Sequence, residues 1–147
     1  MINYQYLVDH QEIVVSKSHT HNKDTLLALA ASVAAKKDEY SSIGVDVEFE
    51  GRKIDPATHR FFIGSKELAL GFSPLEIWCI KEACYKSLWP LFHEKNPKTK
   101  IVLSNIVIEK DKFSCLKDQI SFEGEFSVER RNCEAYREIV AIAWINS

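Results

Sequence analysis

The sequence predicts an α+β fold in which an antiparallel sheet packs with helices. Three observations lead to this prediction: a segment of alternating apolar and acidic residues, one well-capped helix, and a series of strand-like segments toward the end of the chain. Helices gathered between strands, followed by an antiparallel series, are typical of the α+β class. The 147 residues are 46% hydrophobic and 27% charged, which excludes a disordered chain and suits a single domain over 1–147.

The first third of the chain contains two predicted strands and one ambiguous segment. Ile13–Val15 is a short apolar run that suits a strand, and Ser16–Asn22 is predicted as a polar, turn-rich segment. In Thr25–Ala35 the Ala and Leu residues favour a helix, but the position before a strand equally suits a buried strand. Ile43–Glu48 alternates apolar and acidic residues with a period of two, which predicts a strand.

One helix in the middle of the chain has clear start and stop signals. Ser73 suits the N-cap, Pro74 suits the first helical position, and Glu76 completes a capping box. Pro90 is expected to end the helix at about residues 88–89, because proline cannot donate the helical hydrogen bond. A charged loop is then predicted at His93–Lys100.

Shorter patterns predict the remaining elements. Two short helices are expected before the capped helix, at Ala57–Phe62 and Ser65–Leu70. Four strands are expected after it, at Ile101–Ile108, Ile120–Phe122, Phe126–Arg130 and Glu138–Ile145. The last of these is continuously apolar, which predicts a central strand of the sheet.

The composition excludes several classes of protein. A net charge of −2, from 19 basic and 21 acidic residues, argues against a nucleic-acid coat protein, which needs a strong basic excess. No apolar run approaches the roughly 18 residues that span a membrane. The N-terminus lacks the features of a signal peptide, so a cytoplasmic protein without membrane association is expected. The four cysteines form no CxxC pair and no zinc spacing, and they are expected to be reduced thiols.

Two acidic residues on the predicted strand are the first candidates for chemistry. Asp46 and Glu48 lie two positions apart, so their side chains leave the same face, while Val45 and Val47 face the opposite way, into the core. Two partly buried carboxylates need a cation, and a hard divalent ion such as Mg²⁺ suits their oxygen atoms. A solvated strand face is the alternative, and the pattern alone leaves both open.

The capped helix carries a second set of candidate residues. Trp78, Glu82 and Lys86 follow one another at intervals of four and share one broad face, and Lys81 lies on an adjacent face. In the functional interpretation, Glu82 provides a third carboxylate beside the phosphate-binding ammonium group of Lys86. The set also suits an ordinary pair of Glu and Lys on a helix surface, which stabilises a helix by only about 0.2–0.5 kcal/mol.

A third candidate is the polar segment near the start of the chain. Ser18 and His19, with His21 close by, can donate hydrogen bonds to a phosphate from a turn, or they are simply exposed. The common phosphate loops, GxxxxGK[ST] and GxGxxG, are absent, and so is a nucleophile elbow.

In their order along the chain, these three motifs resemble the 4′-phosphopantetheinyl transferases. That family has a Gly-x-Asp strand and, a few dozen residues later, an aromatic residue, a Lys-Glu-Ala segment and a Lys four positions after the Glu. Gly44–Asp46 matches the first motif and Trp78–Lys86 matches the second. Ser16–His19 resembles the Ser-x-Ser-His of the surfactin-synthetase-activating branch, and Arg60–Phe62 with Glu67 resembles an Arg-Phe-Phe…Glu segment between the two signatures.

The resemblance implies a phosphopantetheinyl transferase-like half-domain and its reaction. Coenzyme A donates its 4′-phosphopantetheine arm to a serine of an apo acyl or peptidyl carrier protein, and adenosine 3′,5′-bisphosphate leaves. By the same resemblance, Asp46, Glu48 and Glu82 hold Mg²⁺ on the pyrophosphate of coenzyme A. Lys86 neutralises phosphate charge, and Lys81 assists it. The chemistry fits, since phosphoryl transfer depends mostly on positioning and charge stabilisation.

The resemblance also implies the remaining site residues. Ser18 and His19 contact a phosphate of the nucleotide. Either Glu82 or Glu67 deprotonates the incoming serine, directly or through a water, and the sequence leaves this choice open.

Members of this branch consist of two similar halves with the coenzyme A site between them. The resemblance covers the second, C-terminal half, from about Glu12 onward. We therefore expect a homo-oligomer with sites at its subunit interfaces. Two other functions stay open: a non-catalytic assembly subunit that binds coenzyme A or a carrier protein, and a Mg²⁺-dependent hydrolase of a nucleotide pyrophosphate. Basic loops at Lys95–Lys100 and Arg52–Lys53 are candidates to bind an acidic carrier protein of fatty acid, polyketide or nonribosomal peptide synthesis. The alternative is an ordinary solvated charged surface.

Overall fold

Two antiparallel sheets and one long helix form the part of the chain that the structure, a computed structural model, describes. Residues 3–8, 11–22 and 27–147 are described, with side chains for residues 12–22 and 27–147. The strands are β1 (Asn3–Val8), β2 (Gln11–Asn22), β3 (Leu27–Lys36), β4 (Tyr40–Phe49), β5 (Ile106–Glu109), β6 (Lys112–Lys117), β7 (Ile120–Asn132) and β8 (Arg137–Asn146). The helix is α1 (Pro74–Lys95), and short 3₁₀ helices cover Pro56–Phe61, Leu68–Leu70 and Leu103–Asn105. The predicted α+β class with antiparallel pairing is confirmed.

The two sheets differ in size and share no strand. One has three strands in the order β1-β2-β3, and the other has five in the order β4-β8-β7-β6-β5, with antiparallel neighbours throughout. Strand β8 lies between β4 and β7, which confirms that the continuously apolar segment is an interior strand. Strand β4 is at the edge of the larger sheet, and β2 runs beside its open side.

Helix α1 and the three-stranded sheet cover opposite faces of β4. The main core joins α1 to the five-stranded sheet through buried residues that include Ile77, Ile80, Cys84, Leu88, Ile139 and Ala141. A second core lies on the other face, where Val45 and Val47 pack with Leu29 of β3 and Val140 of β8. The strand alternation therefore sends the two valines into one core and the residues between them toward α1.

The predicted turn-rich segment at Ser16–Asn22 is wrong, because these residues continue strand β2. Their hydroxyl groups have a structural use that local patterns do not reveal. The backbone amide of Val45 donates to Oγ of Ser16 at 3.1 Å, and that of Val47 donates to Oγ of Ser18 at 3.4 Å. Serine side chains thus satisfy the edge amides of β4, which otherwise lack partners in a buried position.

The ambiguous segment Thr25–Ala35 is a strand over the residues that the structure describes, since β3 begins at Leu27, and residues 25–26 lie outside the described residues. Along β3 the exposed positions alternate with more buried ones, among them Leu29. Pairing with β2 and burial against β4 override the helix propensity of its alanines.

The expectation that Pro90 ends the helix is wrong, since α1 continues to Lys95 and includes the start of the predicted charged loop. Proline removes one backbone hydrogen bond from a helix. Beyond it, however, Phe92 is buried and packs edge-on against Phe122, with 5.1 Å between ring centroids. The amide of Asn96 then donates to the carbonyl of Phe92 at 2.9 Å and caps the helix end. Apolar burial therefore compensates for the missing hydrogen bond.

The predicted strand at Ile101–Ile108 is wrong in its first half. The amide of Asn105 donates to the carbonyl of Val102 at 2.9 Å and closes a 3₁₀ turn before β5 begins, while the side chain of Asn105 accepts from the amide of Val102. The two strands predicted at residues 120–122 and 126–130 are one continuous strand, β7, which pairs with β6 on one side and β8 on the other.

The two short helices predicted before α1 are confirmed as short helical segments, but they are 3₁₀ helices with shifted bounds. Strands β1 and β6 were not predicted from the sequence. In the described part of the chain, no helix combines the length and the apolar character that crossing a membrane requires.

Candidate functional site

The candidate site lies where α1 crosses the acidic face of β4. Gly44 makes this close approach feasible, since a Cβ atom at its position would overlap the backbone carbonyl oxygen of Ala83. The small residue of the Gly-x-Asp motif therefore brings the helix face that carries Glu82 and Lys86 against the strand that carries Asp46. The condition for strand and helix acids to meet, a helix packed across the strand, is satisfied.

Asp46 lies at the centre of this contact and is only 6% exposed. Its Oδ1 atom accepts a hydrogen bond of 2.7 Å from the hydroxyl of Ser18 and lies 3.2 Å from the ammonium nitrogen of Lys86. Its Oδ2 atom is buried and has no hydrogen-bond partner among the described residues. A buried carboxylate oxygen without a partner is destabilising unless it binds a further group.

Glu48 is 4% exposed and forms an ion pair with Arg52. The hydroxyl of Thr20 donates to its Oε2 atom at 3.3 Å. Burial, followed by the charge of Asp46, raises the pKa of Glu48, and the guanidinium group of Arg52 opposes that rise. The low exposure of both strand acids shows that the alternative of a solvated strand face is wrong.

Glu82 extends the acidic group from the helix side. Burial raises the pKa of Glu82, and the charges of Asp46 and Glu48 add to the rise, whereas those of Lys86 and Arg52 lower it. The structure therefore brings the three predicted acids and Lys86 into one electrostatic group, which we call the acid cluster: Asp46, Glu48, Glu82, Lys86 and Arg52.

The acid cluster is balanced by its own cations. Lys86 pairs with Asp46, and Arg52 pairs with Glu48. Across the residues whose side chains are described, no three His, Cys, Asp or Glu residues already form a group that could hold a metal ion. The donor set still fits Mg²⁺, because its atoms are carboxylate oxygens and because Oδ2 of Asp46 has no hydrogen-bond partner in the described part of the chain.

The structure separates Ser18 from His19, which were predicted to contact one phosphate together. Ser18 is buried and bonded to Asp46 and to the amide of Val47. His19 is exposed on the opposite face of β2, because successive side chains of a strand alternate. Ser18 therefore supports the acid cluster, and only His19 of the two is open to a ligand.

Glu67 and Lys81 contact each other and not the acid cluster. Their charged atoms lie 2.6 Å apart, and both side chains are almost completely buried. Glu67 also accepts hydrogen bonds from the amides of Gly64 and Ile108, so it ties α1 to the loop before it and to β5. Burial lowers the pKa of Lys81, and Glu67 counteracts this shift. This arrangement disfavours the predicted roles of Glu67 as a base and of Lys81 as a phosphate ligand.

Sequence reasoning did not include Ser16, Thr20 or Arg52 in the site. For Ser16 and Thr20 the sequence signal is a hydroxyl residue at every second position, at 16, 18 and 20. All three hydroxyl groups bond to residues of β4. The signal for Arg52 is its position four residues after Glu48, just beyond the end of the strand. The guanidinium of Arg52 also lies over the ring of Trp78, 5.4 Å from its centroid.

A surface cavity of about 470 Å³ opens beside the acid cluster. It is lined by the basic residues His21, Arg52 and Lys53 together with Thr20, Asn22, Phe49 and Gly51. Positive side chains and hydrogen-bond donors are the groups that bind phosphate. The cavity is therefore a candidate anion-binding site, and Arg52 belongs both to it and to the acid cluster.

The four cysteines are free thiols, three of them buried and Cys133 exposed. Cys79 lies below the acid cluster, with its sulfur atom 3.5 Å from the carbonyl oxygen of Asp46. Burial raises the pKa of this thiol well above its usual value. Cys79 is therefore a packing residue in its protonated form.

No protein-family model matches the chain, and a search of curated proteins finds no match. The motifs and the geometry of the acid cluster are therefore the grounds on which a function can be proposed.

Proposed function

We propose that the protein is a Mg²⁺-dependent 4′-phosphopantetheinyl transferase that acts on an apo acyl or peptidyl carrier protein. The observation that carries this proposal is the buried Oδ2 atom of Asp46, which has no hydrogen-bond partner among the described residues although it belongs to a cluster with two other carboxylates and two cations. The order of the Gly-x-Asp, Trp and Lys-Glu-Ala-x-x-Lys motifs supports it, and so does the helix-on-strand contact that Gly44 permits.

In this proposal Asp46, Glu48 and Glu82 hold Mg²⁺, which supplies charge stabilisation for the pyrophosphate of coenzyme A. Lys86 is fixed by hydrogen bonds to Oδ1 of Asp46 and to the carbonyl of Val45, so its charge has a defined position for a phosphate. The serine oxygen of the carrier protein attacks the pantetheine-side phosphorus of coenzyme A. The bond from that phosphorus to the oxygen of adenosine 3′,5′-bisphosphate breaks.

The proton of the attacking serine needs an acceptor. Glu82 suits this role better than Glu67, because it belongs to the acid cluster at which the pyrophosphate of coenzyme A would bind. Glu67 is engaged with Lys81 and two backbone amides. Glu82 accepts the proton directly or through a water molecule.

The reaction is tested by incubating the protein with coenzyme A, Mg²⁺ and a panel of apo-carrier proteins, followed by mass spectrometry of the carriers. We expect a phosphopantetheine adduct on one serine, its loss on chelation with EDTA, and its return when Mg²⁺ is added. The variants Asp46→Asn and Glu82→Gln should lower the rate about 100-fold or more, because each removes a metal ligand. Glu94→Gln, at an exposed position of the same helix, is the matched control and should keep the wild-type rate.

Binding of coenzyme A without transfer to any carrier would contradict the proposal. It would favour the non-catalytic assembly subunit. A specific observation supports that alternative: both strand acids are already paired with cations of the protein, Asp46 with Lys86 and Glu48 with Arg52. Hydrolysis of coenzyme A at its pyrophosphate without a carrier would instead favour the hydrolase.

The homo-oligomer with sites at subunit interfaces is part of the same proposal. His19 on the outer face of β2 would then contact nucleotide phosphate together with residues of a second subunit. Light scattering that gives the mass of a single chain for a fully active protein would contradict this part.

A further inference from the structure

The two cations of the acid cluster are held very differently. Lys86 is buried, and its ammonium group donates to the carbonyl of Val45 at 2.9 Å as well as to Asp46. Withdrawing it would leave a buried carbonyl without that bond, which is destabilising. The side chain of Arg52 is 44% exposed, and its contacts in the described structure are with the carboxylate of Glu48 and the ring face of Trp78. Arg52 can therefore leave Glu48 without exposing a backbone group.

The surroundings of Arg52 leave it room to turn. Its side chain is partly exposed to solvent and lines the 470 Å³ cavity that His21 and Lys53 also line. A rotation of this side chain would move the guanidinium from the carboxylate of Glu48 toward the cavity, with β4 and α1 left in place.

A divalent cation and a guanidinium compete for the same carboxylate. When a doubly charged ion binds at Asp46 and Glu48, the charge of Arg52 beside Glu48 becomes repulsive. Released from Glu48, the guanidinium adds to the positive charge of Lys53 at the cavity and offers paired donors to a phosphate.

We propose that Arg52 is an exchangeable counterion that couples the two halves of the site: it neutralises Glu48 in the metal-free protein and moves to the phosphate-binding cavity when a divalent cation takes its place. This inference rests on the proposed function, because it assigns the acid cluster to a divalent cation. It makes Arg52 a positioning residue that links cation affinity to phosphate affinity. Such linkage is reciprocal, so a phosphate ligand in the cavity also strengthens cation binding.

The coupling is measured by direct Mn²⁺ binding, with free Mn²⁺ followed by electron paramagnetic resonance, in the absence and presence of adenosine 3′,5′-bisphosphate. We expect the nucleotide to strengthen Mn²⁺ binding to the wild type about fivefold or more. Arg52→Gln should bind Mn²⁺ about fivefold more tightly than the wild type when no nucleotide is present, and should gain little when it is added.

Two variants serve as matched controls. Lys53→Gln removes the neighbouring positive charge, which has no ion pair with Glu48, so its Mn²⁺ affinity without nucleotide should stay near the wild-type value. Arg52→Lys keeps a charge that can reach Glu48 and should also stay near the wild type. Circular dichroism of each variant verifies that the fold is unchanged.

The outcomes separate the inference from the function on which it rests. If Asp46→Asn abolishes Mn²⁺ binding but Arg52→Gln binds Mn²⁺ no more tightly than Lys53→Gln, the role of Arg52 is overturned and the metal site stands. If neither the wild type nor Arg52→Gln binds Mn²⁺ in a manner that depends on Asp46, both the inference and the proposed function are overturned.

Discussion

The hydroxyl of Ser18 donates a hydrogen bond of 2.7 Å to Oδ1 of Asp46, joining two residues that lie 28 positions apart in the chain. The hydroxyl oxygen of Ser18 also accepts a hydrogen bond of 3.4 Å from the amide of Val47. One serine therefore secures the edge of β4 and orients the central carboxylate of the acid cluster. Ser16, on the same face of β2, secures only the strand edge, because its hydroxyl oxygen accepts a hydrogen bond from the amide of Val45.

This pair of serines gives a matched test. Ser18→Ala and Ser16→Ala should each lower the free energy of unfolding by about 1–3 kcal/mol, because each leaves a buried amide unsatisfied. Only Ser18→Ala should also weaken Mn²⁺ binding, by about tenfold, because it removes the hydrogen bond that orients the carboxylate of Asp46. Urea denaturation and Mn²⁺ titration provide the two measurements. Equal loss of Mn²⁺ affinity in both variants would show that the bond to Asp46 does not orient it.

The buried pair of Glu67 and Lys81 predicts non-additive effects on stability. Glu67→Gln or Lys81→Met alone should destabilise the protein by about 3–5 kcal/mol, because each leaves an uncompensated buried charge. The double variant should recover much of this loss, since neither charge remains. A thermodynamic double-mutant cycle from urea denaturation measures the recovery.

The same double variant also tests the disfavoured role of Glu67 in catalysis. If the pair is structural, a folded Glu67→Gln/Lys81→Met protein should keep transferase activity within about tenfold of the wild type. If the double variant folds but has no activity while the wild type is active, Glu67 or Lys81 takes part in catalysis after all.

The close packing at Gly44 predicts a strong effect of one added methyl group. Gly44→Ala should destabilise the protein by about 1–3 kcal/mol or more, because the new Cβ atom meets the backbone of α1 at Ala83 rather than a flexible side chain. Gly51→Ala is the matched control and should change stability by less than about 0.5 kcal/mol, because its surroundings are open. Thermal unfolding compares the two, and similar effects of both substitutions would argue against a tight contact between helix and strand.

The start of α1 should give a pH-dependent contribution to stability. Burial raises the pKa of Glu76, but hydrogen bonds from Arg130 and Ser73 lower it more, so that the net shift is downward from the usual 4.5. A folded-state pKa below the unfolded value means that the stabilisation is fully present above about pH 4.5 and is lost as the pH falls through the lower folded-state value.

Glu76→Gln isolates this contribution, since glutamine can still complete the capping box with Ser73 but carries no charge for Arg130. The variant should be less stable than the wild type near pH 7 by up to about 1 kcal/mol, because Arg130 is half-exposed and the pair is screened. The difference should shrink at acidic pH. Glu129→Gln, which removes an exposed partner of Arg131, serves as the control. A difference that grows toward low pH would contradict the sign of the shift.

Local patterns were sufficient where a few neighbouring residues decide the structure. The capping box at Ser73 and Glu76 forms as predicted, because both of its hydrogen bonds close within one helical turn. The alternation in β4 likewise places Asp46 and Glu48 on one face and the two valines on the other. The residue order alone therefore specified the start of the long helix and which side chains of the strand share a face.

Contacts between distant segments decided the rest. Whether Leu27–Lys36 became a strand depended on its pairing with β2, and whether α1 continued beyond Pro90 depended on the burial of Phe92. The partners of the site residues were also hidden, because a carboxylate pairs with whichever cation the fold brings within reach. Glu67 met Lys81, and Arg52 reached Glu48 because the chain turns at the end of β4. Such pairings arise only when the layers pack, since their energies depend on distance and burial in space rather than on separation along the chain.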